Sequence, residues 1–575
     1  MDFVLTLHSH LPYVLNHGRW PHGSDWLCEA GFDCYLPLLE ALQGLERDEV
    51  AAPATLGITP ILANQLAHPT FRSEMDEFLR QRLEACDQGI TELGASNQQH
   101  LVPVAKFWRE RLVRLGALFQ NIEGNLVAAF AGLAGRGRLQ LISSGATHGY
   151  LPLLGRDESV RLQLLVGRHE HQRLFGEPPL GCWLPECAYR SRGAWTHRPG
   201  HPAADRPGIE EQVAGAGFTH FFVDAHLAAA GTPLGSYHDV PLGAERFDAE
   251  RHDVDVPGRQ RVERSPYQAY VVSSPPTPLV TAFVRDPRSS MQVWSRHQGY
   301  PGDERYLEFH KIRWPGGLKL WRVTGPDTDL GAKQPWDPRD AFDRAALHAD
   351  HFGGLLESIA REERAAGHVI VAPFDTELFG HWWFEGVHFL GSLFRRLAAT
   401  GTDGTATMVR PTTAAAHLDR GPAGRRVRLA EGSWGAGGDH SMWLNDRTRW
   451  TWERLWPLED AFWAAAPHAL RDPASHPILA AAARQLLLAQ SSDWQFIIST
   501  GLVTDYAERR FDLHASDASR LIAGMLPEAP GQDRDAAAAL APAVNRRDDV
   551  FPDVIAALAE TLARGGPTPQ RSRRP

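Results

Sequence analysis

The sequence predicts an α/β fold in which a parallel sheet carries helices on its outside, followed by a helical C-terminal region. Three observations predict it. Seven short apolar, β-prone runs punctuate the chain, helical patterns separate most of them, and the pattern changes after Pro411.

The runs are Val4–Leu7, Thr55–Ile58, Leu139–Ile142, Gly181–Leu184, His220–Val223, Val280–Phe283 and Val369–Ala372. They are too short and continuously apolar for half-exposed strands, so both faces should be buried. Amphipathic patterns over Leu36–Arg47, Phe71–Ala85, Lys106–Leu133, Ser159–Leu174, Ile209–Ala216 and Asp340–Ala366 supply the outer helices. Seven runs suggest a barrel one strand short of eight, and an open doubly wound sheet predicts the same alternation. Ala229–Pro266 is rich in Gly, Pro and charge and reads as a long loop or small insertion. Beyond Pro411, Ile478–Ser491 and Asp517–Leu526 read as amphipathic helices, and Gly565–Pro575 as a disordered tail.

Nearly every run exits into polar residues: His8 and His10, Thr59, Ser143 and Ser144, Glu186, Asp224, Arg285, Asp375. In parallel barrels the C-terminal strand ends converge on one mouth and carry the chemistry. Pro185 bars a helical conformation at Leu184, which places Glu186 at a strand exit. Taken alone, that glutamate is most simply a surface residue. The segment Asp375-Thr376-Glu377-Leu378-Phe379-Gly380-His381-Trp382-Trp383-Phe384-Glu385-Gly386 is harder to assign to structure, because it sets three carboxylates and a histidine among large aromatics. Two carboxylates at one mouth are the minimum for glycoside hydrolysis, one attacking the anomeric carbon and the other protonating the leaving oxygen.

His8 and His10, two apart on a strand, share a face and admit a rival reading as the start of a metal site in a barrel deacetylase or phosphoesterase. Hydrogen bonding to sugar hydroxyls is the other reading, and His148 after the third run is of the same kind. The Gly-rich block Glu431–Trp443 lacks the preceding strand and the Lys-Ser/Thr ending of a phosphate cradle. Trp434 and Trp443 within it look like stacking platforms in a flexible frame.

A net charge of −10 excludes a basic nucleic-acid-binding face, and no apolar run approaches a membrane span. The N-terminus has no basic region or cleavage site, so a cytoplasmic protein without a signal peptide is expected. Five cysteines outside any CxxC pair give neither a disulfide framework nor a zinc knuckle.

On the blocks His8–Tyr13, Trp183–Tyr189, Trp294-Ser295, Gly299–Asp303, Asp375–Gly386, Trp434/Trp443 and Ser492-Asp493-Trp494, the chain resembles glycoside hydrolase family 57, in particular its 1,4-α-glucan branching enzymes. The resemblance implies a distorted (β/α)7 barrel with an inserted subdomain after the nucleophile strand and a C-terminal α-helical domain closing the cleft. It implies Glu186 as nucleophile and Asp375 as general acid/base of a retaining mechanism. Arg285, Gly302, Trp434 and Asp493 would line the glucan site, with His8, His10, His148, Trp294 and Trp443 around them. It implies no metal and no organic cofactor, and an α-1,4-glucan as the partner of a monomeric enzyme. Family branching enzymes carry a tyrosine on a loop over the cleft, for which Tyr237 is the candidate. That stretch is rewritten here, so branching, α-amylase-like hydrolysis and 4-α-glucan transfer all stay open, as does a weak glycan-binding role. The expected domains are residues 1–410 (barrel, including 187–270 as inserted subdomain and lid), 411–530 (helical) and 531–575 (a partly disordered extension).

Overall fold

The computed structural model describes residues 1–196, 203–231, 233, 264–272, 278–294, 299–314, 316–325, 327–365, 367–399 and 408–564. Seven parallel strands form its centre: β1 (Asp2–Ser9), β2 (Ala54–Ile58), β3 (Leu139–Ser144), β4 (Gly181–Trp183), β5 (His220–Val223), β6 (Thr281–Val284) and β7 (Val369–Asp375). Their order is β7-β1-β2-β3-β4-β5-β6. Each strand follows its predecessor without reversal, so the sheet has none of the switch points of a doubly wound fold. It curls until Asp286, just past β6, donates its N–H to the Val371 carbonyl of β7 at 2.8 Å. The result is a distorted seven-stranded barrel.

Alternation along β1 sorts the core. Phe3, Leu5 and Leu7 pack outward under the helices, while Val4 joins Ile142, Trp183, Phe222, Phe283 and Val371 in the barrel interior. By the same period Thr6 and His8 also point inward. The β1–β7 register sets His8 opposite Asp375, so chemistry at the mouth rests on a floor of buried apolar rings.

Several sequence boundaries need correction. The helix expected over Lys106–Leu133 is two helices, Val102–Asn121 and Leu126–Gly135. Between them Glu123 and Gly124 are left-handed, and Asn125 caps the second helix by accepting from the Ala128 N–H at 2.9 Å. The change of pattern at Pro411 is not the end of the sheet, because Arg410–Thr412 pairs in parallel with β1. The span 187–270 is not one insertion: it contains the helix Ile209–Gly215 and β5, preceded by a hairpin pairing Gly193–Trp195 with Ala204–Arg206. Of Ala229–Pro266, residues 232 and 234–263, with Tyr237, lie outside the described residues, as does the tail 565–575.

The C-terminal helices are α1 (Arg449–Arg471), α2 (His476–Ala489), α3 (Ser492–Thr500), α4 (Thr504–Met525), α5 (Gly531–Arg547) and α6 (Val554–Arg564). The extension beyond residue 530 is thus helical through 564, with α5 on α4 and α6 against the barrel helix Asp157–Phe175. Helix α1 docks through tryptophans: Trp456 Nε1 donates to the Leu153 carbonyl and Trp463 Nε1 to Ser159 Oγ. Among the described residues no helix is long and apolar enough to cross a membrane.

Candidate active site

Strand β4 ends at Trp183, and Pro185 starts a one-turn 3-10 helix that carries Glu186. Glu186 and Cys187 both adopt left-handed backbone, with φ of 61° and 48°, which costs a non-glycine residue about 1–2 kcal/mol. The Gly-rich block holds this turn. Trp434 donates its N–H to the Glu186 carbonyl at 3.1 Å, and Tyr189 and Gly432 exchange backbone hydrogen bonds. The glycines permit the approach: a Cβ on Gly432 would meet the Gly438 carbonyl at 2.2 Å, and one on Gly435 would meet the Trp443 ring at 2.8 Å.

The block is therefore a packed cradle rather than a flexible frame. Trp434 is 4% exposed, and its Nε1 donates to Glu186 Oε2 at 2.9 Å. Trp443 is 1% exposed and stacks on Tyr150 with centroids 4.5 Å apart. The expected flexible frame is thus replaced by a rigid one in which both indoles are buried. Ser492 Oγ donates to the other carboxylate oxygen, Oε1, at 3.2 Å, so helix α3 reaches into the barrel.

His8 lies flat on Trp183, centroids 4.6 Å apart, and its Nε2 meets His148 Nε2 at 3.0 Å. His148 stacks on His10 at 4.1 Å. His10 bonds Thr59 through Nδ1 (3.0 Å) and Asp493 through Nε2 (2.9 Å). The ring nitrogens of His8 and His10 thus bond to protein partners or face the interior and do not converge on one point as metal ligands must. Ligand atoms of His17, His514 and Asp548 do converge within 4.8 Å. There, however, Arg547 and Gln485 donate to Asp548 and Arg510 donates to His514 Nε2, which makes the cluster a hydrogen-bonded clasp.

Asp375 ends β7 and is followed at once by Thr376–Leu378 as a 3-10 turn. Glu377 is tied down by the Tyr35 hydroxyl (2.5 Å) and the His10 N–H (3.1 Å). Burial, then the Glu377 charge, drive the Asp375 carboxyl well above the ordinary range, with Arg285 opposing. Burial also lifts Glu186, to about 7, against the Trp434 hydrogen bond. Both carboxyls are therefore displaced upward by burial, so each can hold a proton at a higher pH than an exposed carboxyl would. Arg285 is buried, 3.7 Å from Asp224, and lies over the rings of Trp294 and Trp434 at 5.4 and 5.6 Å. Its three guanidinium nitrogens have no hydrogen-bond partner among the described residues.

A protein-family model described as glycosyl hydrolase family 57 matches residues 4–421, the span that contains both carboxylates and the histidines. The chain belongs to glycosyl hydrolase family 57. A second model, 1,4-alpha-glucan branching enzyme, C-terminal, matches residues 459–558. A 1,4-alpha-glucan branching enzyme of Thermococcus kodakarensis is 36% identical over 522 residues, 90% of this chain and 73% of the relative. A probable 1,4-alpha-glucan branching enzyme of Mycobacterium tuberculosis is 31% identical, with 96% of both chains covered. Among solved structures, the family 57 branching enzyme from T. kodakarensis superposes with a TM-score of 0.84 at 33% identity, covering 97% of this chain and 96% of that one. The Thermotoga maritima alpha-amylase AmyC does so with 0.75 at 27%, covering 97% and 99%.

Within this family 57 site the fold gathers Glu186, His8, His10, His148, Arg285, Trp294, Trp434 and Asp493 around the mouth, with Asp375 across the β1–β7 register from His8. Gly302 lies in the turn Tyr300–Gly302, which Tyr300 anchors to His351 at 2.7 Å and which packs on the helix Pro287–Trp294. Sequence reasoning gave Ser492, Thr59, Tyr35 and Glu377 no role of their own. Glu377 was findable, two residues past Asp375 on the same loop. Thr59 was marked only as a polar strand exit, and Ser492 only as part of the Ser492-Asp493-Trp494 block.

Proposed function

We propose that this family 57 chain is a 1,4-α-glucan branching enzyme, cleaving α-1,4 linkages and rebuilding them as α-1,6 by a retaining double displacement. Glu186 attacks the anomeric carbon while Asp375 protonates the departing 4-oxygen, leaving a glycosyl ester on Glu186. Asp375, now ionised, then takes the proton of an acceptor 6-hydroxyl as its oxygen displaces the carboxylate. Arg285, over the Trp294 ring, and the His10–Asp493 pair suit recognition of sugar hydroxyls.

The observation that carries transfer over hydrolysis is the C-terminal region. It matches the branching-enzyme model and delivers Ser492 and Asp493 onto Glu186 and His10. Walls of this kind exclude water and orient an acceptor, which transfer requires because water is present at tens of molar. Hydrolysis is the second reading, favoured by the likeness to the Thermotoga alpha-amylase. Incubation with amylose separates them. Branching yields new α-1,6 linkages, counted by NMR, with few added reducing ends; predominance of reducing ends overturns the proposal. Dialysis against a chelator should leave the rate unchanged, and loss restored by zinc or manganese would revive the metal reading of His8 and His10.

A further inference from the structure

Two neutral histidines cannot share a contact without choosing a direction, and that choice reaches the nucleophile. Burial pushes both His8 and His148 well below the usual imidazole range, so each carries one ring proton. His8 Nε2 and His148 Nε2 are 3.0 Å apart; His148 Nδ1 is 2.9 Å from Ser492 Oγ; Ser492 Oγ is 3.2 Å from Glu186 Oε1. His8 Nδ1 is buried with no partner among the described residues.

Only two proton arrangements satisfy the His8–His148 contact. If His148 donates from Nε2, His8 must carry its proton on Nδ1, leaving an orphaned buried N–H that costs about 1–3 kcal/mol. His148 Nδ1 then needs the Ser492 proton, and Glu186 loses its donor. If His8 donates from Nε2, only a lone pair on His8 Nδ1 is unpaired. His148 then donates from Nδ1 to Ser492, whose O–H is free for Glu186. The second arrangement satisfies every donor.

We propose that Ser492, on the C-terminal helical domain, is a positioning residue for the nucleophile, its hydroxyl aimed at Glu186 by a one-way hydrogen-bond chain from His8 through His148. The chain rests on Glu186 being the nucleophile. Its consequence is kinetic. When the glycosyl ester breaks, the electron pair of the C1–O bond returns to the Glu186 carboxyl, and the Ser492 hydroxyl stabilises the charge regained there. The helical domain thereby acts on the second half of the reaction, not only as a wall.

Two measurements test it. In wild-type enzyme with 15N-labelled histidine, NMR should find His148 protonated on Nδ1 and His8 on Nε2; a proton on His148 Nε2 overturns the chain, whatever the role of Glu186. In Ser492→Ala, turnover should fall on the order of ten- to hundredfold, with more glycosyl-enzyme at steady state and the acid limb of the pH–rate profile displaced upward. Asp375, Asp493, His10, His148, Tyr150 and Cys187, the titratable neighbours of Glu186, are all retained in that variant, and of these His148 loses its bond to the Ser492 hydroxyl. Ser492→Thr, which keeps the hydroxyl, should restore the limb. Unchanged ester accumulation and an unchanged limb in a folded Ser492→Ala, with Glu186→Ala inactive, overturn the proposal alone. Wild-type rates in Glu186→Ala overturn the nucleophile reading instead.

Discussion

Glu186 is held by opposing demands. Its left-handed backbone and buried carboxyl are both unfavourable, and the Trp434 indole and backbone N–H groups and the Ser492 hydroxyl offset them. Trp434→Phe keeps the ring and deletes one donor, so kcat/KM should fall on the order of tenfold to a hundredfold; an unchanged rate would mean that the hydrogen bond does not serve the reaction. Because burial lifts Glu186 to about 7, the proposed nucleophile is ionised only above that value, and the rate should decline as pH falls through it. Asp375, raised well above its usual range, must stay protonated, so a second decline follows on the alkaline side. A rate that does not decline as pH falls through about 7 would contradict the nucleophile assignment, and a profile with no alkaline decline would contradict the acid assignment. Asp375 was marked out in the sequence by the carboxylates and aromatics around it, and Glu186 only through the resemblance. The donors that hold them were not, since Trp434 and Ser492 come from segments 248 and 306 residues away.

Among the elements, the strands were the most legible, because burial on both faces leaves continuous apolar runs that few other structures share. Helix α1 was hidden by the two prolines inside it, Pro457 and Pro467, which ordinarily break helices. The stretch from Tyr300 to Trp336, between β6 and β7, was equally hidden, being built of turns and isolated bridges. It docks on one carboxyl: Glu385 Oε1 accepts from Trp336 Nε1 (2.9 Å) and the Leu307 N–H (3.0 Å). Burial raises that carboxyl to about 8, against about 4.3 in an unfolded chain. The folded state therefore holds a proton that the unfolded state lacks. The stabilisation is complete below the unfolded value and is lost as pH rises toward 8. Glu385→Gln mimics the protonated form, so its melting temperature should gain on the wild type as pH rises from 5 to 8. A gap independent of pH would contradict a protonated Glu385.

At the scale of the molecule, the chain beyond residue 530 clamps the barrel mouth from outside. His17, on the loop after β1, bonds Asp548 at 2.6 Å, and Arg484 of α2 donates to the Val550 carbonyl at 2.6 Å. Hydrogen bonds and nearby cations depress Asp548 far below the carboxylate range. Its contribution is thus present above the unfolded value of about 3.9 and lost as pH falls. Asp548→Ala, which deprives His17, Gln485 and Arg547 of a shared buried acceptor, should cost about 1–3 kcal/mol of stability by denaturant titration; no measurable loss would show the clasp to be incidental. The tail composition concealed this role, since alanine-rich α5 presents little apolar periodicity and reads as an extension. In the proposed mechanism a barrel turn and a helical domain together make Glu186 a nucleophile that hands sugar to sugar. It is tested most directly by trapping. Asp375→Ala incubated with an activated maltooligosaccharyl fluoride should accumulate a glycosyl ester, found by mass spectrometry on the peptide containing Glu186. An ester on another residue, or none while the fluoride is consumed, would contradict the account.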